Sequence, residues 1–355
     1  MKTKYISMIL FISLSKLLVA QDFDFFEPKS EIGGYGELHY NQESSDGNQT
    51  TKTLDFHRFV LFYSHSWSEK WSFKAEVEME HNFVGGDKGE LELEQAYVNY
   101  HHADWFGFQA GVVLPSVGLI NEIHEPPTFL SVERSDYNKN IIPTTWFGNG
   151  ASIYGNLEGF DYKFTVMEGF NSDNFSANNG IRSGRQKGYK ADATNLLYNA
   201  RVNYTNIPGL LVGASITYNK AKGDTTETPF TLMEVHARVR KNNIYIDAEY
   251  GSISYSEGTL EKSAGYYVDL GYNVANLFNC KSRIVPFVRY SNVNTASVTS
   301  TGGDSEKEFN NSYLTFGLSF IPIEEVTFKV DYTIVENDLT GKETKLFNLG
   351  VGYMF

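Results

Sequence analysis

The chain has 355 residues with 43 acidic side chains against 30 lysines and arginines, and its formal charge of −13 argues against nucleic acid as a partner. The single cysteine, Cys280, excludes an internal disulfide, and no His/Cys spacing suggests a structural zinc site. Beyond the N-terminal segment, no run approaches the roughly eighteen apolar residues of a transmembrane helix.

The N-terminus predicts a secretory signal peptide over residues 1–20. Lys2 and Lys4 precede the apolar run 6–14, which is too short to cross a bilayer as a helix. Cleavage after residue 20 would leave residues 21–355 as one exported domain, with no room for a second.

Sixteen stretches of the remaining chain alternate apolar and polar side chains with a period of two, as in a strand with one apolar face. Each is about as long as the ~9–11 residues that a tilted membrane strand needs. The pattern predicts an all-β fold, a transmembrane antiparallel β-barrel of about 16 strands. The stretches are 31–42, 54–66, 70–83, 90–102, 105–114, 147–156, 159–170, 195–206, 209–220, 229–240, 243–254, 264–276, 282–294, 309–321, 325–336 and 344–355.

The connections distinguish such a barrel from a soluble β-sandwich, which would show the same alternation. Links such as 68–69 and 103–104 are tight, whereas 115–146 and 171–194 are long. Short periplasmic turns and long extracellular loops are typical of outer-membrane barrels. Aromatic side chains beside the short turns, and a last strand that ends at Phe355, agree with this prediction.

The longest link, residues 115–146, is the third extracellular loop and carries four prolines and several apolar side chains. We expect it to fold into the barrel and narrow the pore, because long loops in compact folds are usually functional or disordered. A solvated surface loop is the alternative. Four acids of the loop would then face five basic wall residues. The acids are Glu122, Glu125, Glu133 and Asp136, and the basic residues are Arg58, Arg201, Arg238, Arg283 and Arg289.

Charged residues at inward-facing strand positions predict a hydrated lumen, because an Arg or Lys that faces lipid near the midplane costs about 2–4 kcal/mol. The set mixes both signs, which favours a transverse field over a ladder of one sign. The phase of the alternation is ambiguous beside Arg58 and around residues 90–97. The predicted wall residues are Lys74, Glu76, Glu78, Lys163, Asp247, Glu249, Lys329 and Asp331.

No motif points to catalysis or to a cofactor, so we expect no enzymatic activity, no cofactor and no metal. His124 and Glu125 are adjacent metal-ligand types, but a histidine beside an acid in a loop is usually neither ligand nor base. The basic cluster 181–190 would attract anions at the pore mouth or contact lipopolysaccharide phosphates. A merely solvated loop is equally compatible with its composition.

Three segments carry a family resemblance: Gly34-Tyr35-Gly36-Glu37, the run EQAYVNY at 94–100, and FQAGVVLP at 108–115. Together with the terminal aromatic residue, they resemble the phosphate-selective porin O/P-like group of Gram-negative porins, as it occurs in Bacteroidetes-type bacteria. The resemblance implies a sixteen-stranded barrel, commonly trimeric, that passes small hydrophilic solutes passively. The lumen departs from an arginine and lysine ladder and no N-terminal coiled coil is evident, so we do not infer phosphate selectivity.

These patterns predict a passive diffusion channel in the outer membrane of a Gram-negative bacterium. Its partners would be membrane lipids, lipopolysaccharide and small hydrophilic solutes, and it would form a homotrimer as the resemblance implies. A non-conducting barrel that acts as a surface receptor or adhesin is the alternative, which single-channel conductance would distinguish. A soluble secreted β-sandwich is a third class and would partition into water without detergent.

Overall fold

The chain forms sixteen β-strands, in a computed structural model that describes residues 26–45, 47–86, 88–278 and 280–355. The predicted signal peptide therefore lies outside the described residues. The strands are β1 Lys29–Ser45, β2 Thr51–Ser66, β3 Trp71–Glu80, β4 Leu91–Ala103, β5 Phe106–Val113, β6 Gly148–Leu157, β7 Phe160–Met167, β8 Leu197–Tyr204, β9 Leu210–Lys222, β10 Glu227–Lys241, β11 Ile244–Tyr255, β12 Leu260–Tyr272, β13 Arg283–Thr299, β14 Asn310–Ile323, β15 Val326–Asn337 and β16 Glu343–Met354.

Every strand pairs in antiparallel fashion with its neighbours in the chain, and β1 pairs with β16 to close the sheet into a barrel. The predicted all-β barrel of sixteen strands is therefore confirmed. Two short helices, α1 (Tyr137–Asn140) and α2 (Asp304–Lys307), lie in loops. Among the described residues, no helix has the length and apolar character needed to traverse a bilayer.

The period-two alternation sorts side chains between the two faces of the barrel wall. On β3, Glu76 and Glu78 are 1% and 2% exposed, whereas Val77 between them is 38% exposed. On β15, Lys329 is buried while Phe328 is exposed. Charged groups thus point inward and apolar groups outward, the arrangement expected for a wall between lipid and a polar interior.

Both stretches with an ambiguous phase contain a β-bulge. Between β3 and β4, Glu76 pairs with Gln95 and the next residue, Val77, pairs with Leu93. Glu94 is the extra residue, so Glu94 and Gln95 both turn to the inner face and both are buried. The other ambiguous stretch, in β2, contains a register shift as well.

The third loop (115–146) and the fourth loop (168–196, between β7 and β8) fill one side of the barrel interior with an apolar cluster, which we call the dry side. Its wall part comes from the inner face of β7 to β13. The buried members are Val117, Tyr137, Ile141, Ile142, Trp146, Met167, Phe170, Ile181, Leu197, Ala221, Phe230, Leu232, Ile253, Tyr255, Leu260, Tyr267, Val293 and Ala296.

Candidate functional site

The first part of the third loop is bound by polar groups on the inner faces of β8, β10 and β11. The backbone N–H of Leu119 donates to Glu249 Oε2 at 3.1 Å, and the N–H of Gly118 donates to Glu234 Oε2 at 3.3 Å. Backbone groups removed from water need hydrogen-bond partners, and wall carboxylates supply them here. Glu249, predicted as a pore-wall residue, therefore holds the loop.

The later part of the loop is bound by charged residues of β13 and β15. The N–H of Val132 donates to Asp331 Oδ2 at 2.6 Å, and Lys329 Nζ donates to the carbonyl of Ser131 at 2.8 Å. Arg289, held by Asp269 through two hydrogen bonds of 2.5 and 2.7 Å, donates to the Glu133 carbonyl at 3.4 Å. The third loop thus crosses the lumen, anchored by charged wall residues at both ends.

Glu122 is the loop acid with the strongest basic partners. Its carboxylate lies 2.7 Å from Lys163 Nζ and 3.2 Å from a guanidinium nitrogen of Arg201. Burial by itself would raise the pKa of Glu122, but these two cations more than offset that effect and lower the pKa to about 2. Glu122 is therefore ionised at neutral pH and joins the loop to β7 and β8.

The other loop acids have different surroundings. Glu133 accepts hydrogen bonds from His39 and Asn41, both at 2.9 Å. Burial raises the pKa of Glu133, yet the bond from His39 brings it to about 2. Within the described ranges, Glu125 and Asp136 lie in no ion pair shorter than 4.0 Å.

Two of the predicted basic residues pair with acids of the wall and not with acids of the third loop, contrary to the prediction. Arg58 lies 2.7 Å from Glu37 and 3.1 Å from Glu78, both on the wall. Arg238 pairs with Asp247 on the adjacent strand at 2.9 Å. Inner-face neighbours on paired strands are only about 5 Å apart, so they reach each other before the loop does.

Two other predicted residues, Arg283 and Lys74, pair with neither a wall acid nor a loop acid within the described ranges. Arg283 begins β13 and makes no ion pair with any residue that the structure describes. Lys74 faces inward with its Nζ 5.5 Å from the centre of the Phe62 ring. Both are inward by parity, but neither contacts the third loop through a hydrogen bond or an ion pair within the described ranges.

Three polar cavities, which we call the wet side, lie around the wall from β13 through β1 to β4. Their volumes are about 290, 250 and 220 Å³. Arg134 of the third loop lines all three, so the cavities meet at its side chain. Wall acids of β3 and β4 face basic residues of the two loops across the smallest one.

The loop guanidinium groups on the wet side bind neutral oxygens rather than carboxylates. Arg134 donates to Thr145 Oγ1 at 3.2 Å and to the His124 carbonyl at 3.4 Å. Arg182 donates to the carbonyls of Lys139 and Thr144, both at 2.9 Å. Their positive charge is therefore oriented by the loops without being cancelled by a direct ion pair.

A model of the family "Phosphate-selective porin O and P" matches residues 33–351 of the chain. The chain belongs to this family. It is an outer-membrane porin, as the sequence predicted. An uncharacterized protein of Aquifex aeolicus is 31% identical to this porin over 349 residues, which cover 91% of this chain and 79% of the relative.

Solved porin structures share the fold of this porin at low sequence identity. An anion-selective porin from Comamonas acidovorans has a TM-score of 0.64 at 11% identity, covering 93% of this chain and 100% of its own. OmpF of Salmonella typhi, solved with daunomycin, has a TM-score of 0.64 at 15% identity, covering 92% of this chain and 98% of its own. The trimer form of Vibrio cholerae OmpT has a TM-score of 0.60 at 14% identity, covering 93% of this chain and 100% of its own.

Sequence reasoning missed two parts of the porin interior. Arg134 lies in a loop without a strand period, so no pattern in the sequence indicates that its side chain lines the cavities. The dry side went unnoticed although Phe230 and Leu232 share the inward parity of Glu234, an apolar signal on a face assigned to water. Parity identifies which face a side chain occupies, but not what covers that face.

The basic cluster 181–190 of the fourth loop turns toward the porin interior. Ile181 is fully buried in the dry side, and Lys187 binds Glu90 at 2.5 Å and also Glu92. Lys190 at its end is exposed. Most of the cluster therefore contacts groups inside the barrel, on the third loop and on β4.

Proposed function

We propose that this porin lets small hydrophilic solutes and ions diffuse passively along the wet side, with the third loop as the constriction. The observation that carries the proposal is the meeting of three polar cavities at Arg134, opposite an interior filled by apolar side chains. Water and solutes would follow the polar cavities, because the apolar side chains of the dry side offer them few hydrogen-bond partners.

A transverse field across the wet side would act as the filter. The smallest cavity is lined by five acids and five basic residues. The acids lie on β3, β4 and the link before β4, whereas four of the five basic residues lie on the two loops. This places bases on the loops opposite acids on the wall. We propose that a dipolar solute is oriented across this field, and we do not infer selectivity for phosphate, because both signs are equally represented.

Reversal potentials in planar bilayers test the proposal. Arg134→Gln removes a positive charge from the junction of the cavities and is expected to shift selectivity toward cations. Glu80→Gln removes a negative charge from the facing wall and is expected to shift it toward anions. Lys190→Gln, at an exposed position of the fourth loop, is the matched control and is expected to change little. Absence of steady current, or equal potentials in all variants, would contradict the proposal.

The loop acids give a second test of the third loop as constriction. Replacing Glu122 and Glu125 together with glutamine is expected to change the reversal potential, because two negative charges leave the loop. Glu122 is already paired with Lys163 and Arg201, so its loss also frees two positive charges. Unchanged reversal potentials would count against this loop as the narrowest point.

We propose that the porin is exported by its signal peptide and assembles as a homotrimer among lipids and lipopolysaccharide. Support for the assembly comes from the trimer form of the OmpT neighbour. Unheated samples should migrate as trimers on denaturing gels and heated ones as monomers, and native mass spectrometry should give three chains. N-terminal sequencing of the outer-membrane protein should begin at Gln21. A monomer mass or an intact Met1 would contradict the respective part.

A further inference from the structure

Three side chains from three separate segments converge beneath the third loop. Glu76 lies on β3, Glu94 is the bulged residue of β4, and His124 lies in the loop. Their exposed fractions are 1%, 1% and 2%. One ligand atom of each side chain, a carboxylate oxygen or an imidazole nitrogen, lies within 4.8 Å of those of the other two. The β-bulge brings Glu94 to the same face as its neighbour and so completes the group.

The orientation of the imidazole is set by the loop itself. His124 Nδ1 lies 3.2 Å from the carbonyl oxygen of Asn121, which can only accept a hydrogen bond, so Nδ1 carries a proton. Asn121 is held in turn by the carbonyls of Pro115 and Trp146, at 2.9 and 3.0 Å. In the neutral ring, Nε2 then presents its lone pair to the two carboxylates. Metal-binding histidines commonly show this support from a backbone carbonyl.

The separations fit coordination better than hydrogen bonding. Nε2 lies 3.6 Å from Glu76 Oε1 and 3.4 Å from Glu94 Oε2, whereas a charged N–H···O⁻ bond is about 2.7–2.9 Å long. Among the residues that the structure describes, none of the three atoms has a hydrogen-bond partner. Two ligand atoms about 2.1 Å from a tetrahedral zinc ion would be separated by about 3.4 Å.

The negative charge of Glu76 and Glu94 also favours the binding of a cation. Within the described ranges, no lysine or arginine nitrogen lies within 4.0 Å of a carboxylate oxygen of Glu76 or Glu94. The second oxygen of Glu76 accepts from the neutral amide of Gln95. Buried carboxylates without a cation are costly, and one imidazolium would neutralise only half of the pair.

We propose that Glu76, Glu94 and His124 bind a divalent first-row transition metal such as Zn²⁺, which fastens the third loop to β3 and β4. Two carboxylates and one imidazole suit zinc, manganese or ferrous iron better than calcium or magnesium, which prefer oxygen ligands alone. The site adjoins the smallest cavity of the wet side and shares Glu94 with its lining, but it leaves Arg134 and Glu80, the residues that the transport test changes, unbound.

Metal uptake by the full-length porin tests the proposal. The protein is purified from outer membranes in detergent, stripped with EDTA, dialysed against Zn²⁺ or Mn²⁺ and analysed for bound metal. The wild type is expected to retain one ion per chain. Glu94→Gln is expected to weaken binding by more than the about 10–100-fold that loss of a supporting residue costs. His124→Gln is the second variant, and X-ray absorption should give one nitrogen and two carboxylate ligands at about 2.0–2.2 Å.

The controls separate this site from others and from misfolding. His81→Gln removes an exposed histidine that binds Asp55 at 2.7 Å near the mouth, and should leave the uptake of this ion unchanged. Heat-modifiable migration on gels reports that each variant has formed its barrel. The proposal is wrong if the folded wild type takes up no metal ion. It is also wrong if Glu94→Gln and His124→Gln bind the metal as tightly as the wild type. Uptake is measured without current, so it fails or succeeds independently of transport.

Discussion

The two sides of the barrel interior contrast sharply although the same strand pattern builds both. On the dry side, the inner faces of β7 to β13 carry apolar residues that pack against the third and fourth loops. On the wet side, acids of the wall and basic residues of the loops enclose three polar cavities. A closed barrel therefore does not need a uniform lumen, because infolded loops can cover part of the inner face with apolar side chains and leave polar cavities along another part.

The contrast also shows what a charged residue inside a barrel can do. Glu249, Lys329 and Asp331 were expected to line the pore, but each binds a backbone group of the third loop. A loop inside the barrel leaves bulk water and needs many partners for its N–H and C=O groups. Part of the charge of the lumen therefore stabilises the loop, and the remainder, around Arg134, faces the cavities.

The largest loss of stability is expected for a large, buried side chain of the dry side. Trp146→Ala removes a side chain that is 1% exposed and packs against the Phe170 ring, with 5.1 Å between the ring centres. The free energy of unfolding in detergent should fall by about 3–5 kcal/mol. Trp105→Ala, at a position that is 52% exposed, should cost about 0.5 kcal/mol or less. Equal losses would show that the dry side is not a packed core.

Breaking the ion pairs of Glu122 should cost less. Glu122→Gln leaves Lys163 and Arg201 without their loop acid, and the free energy of unfolding should fall by about 1–3 kcal/mol. Glu125→Gln, which breaks no ion pair in the part of the chain described, is the matched control and should change little. Chemical unfolding of both variants checks this difference. If they lose the same amount, the contacts of Glu122 do not anchor the loop.

The same pairs predict a pH dependence. The pKa of Glu122 is about 2 in the folded porin, below the usual value of 4.5, so folding favours the ionised carboxylate. Its contribution is fully present above pH 4.5 and is lost as the pH falls through about 2. The stability difference between wild type and Glu122→Gln should therefore shrink over that window, as acid unfolding would show. A constant difference down to pH 2 would contradict the lowered pKa.

The smallest loss of stability is expected when a single hydrogen bond between the wall and the third loop is removed. Ser319→Ala removes the hydroxyl that donates to the carbonyl of Leu130, and should cost about 0.5–1.5 kcal/mol. Ser254→Ala, at an exposed position of β11, provides the comparison and should be close to neutral. An equal effect at both positions would mean that this bond adds nothing to the anchoring of the third loop.

The phase of the alternation was uncertain in two stretches of the sequence, beside Arg58 and around residues 90–97, and both contain a local irregularity in pairing. At Glu94 and Gln95 two consecutive residues face inward, which a strict period of two cannot represent. The ambiguous phase therefore marked a bulge. Elsewhere the alternation predicted the inward set well: of the predicted charged wall residues, Glu76, Lys163 and Asp247 are all buried on the inner face.

The sequence by itself determined the barrel, its sixteen strands and, outside the two bulged stretches, the face that the charged residues occupy, because side-chain direction alternates along a regular strand. The tertiary structure decided which charges meet and which half of the lumen is dry. Arg238 meets Asp247 through the pairing of β10 with β11, and Arg134 reaches the cavities through the path of the third loop. Those contacts depend on strand register and on how a long loop satisfies its backbone, and neither is encoded in a local period.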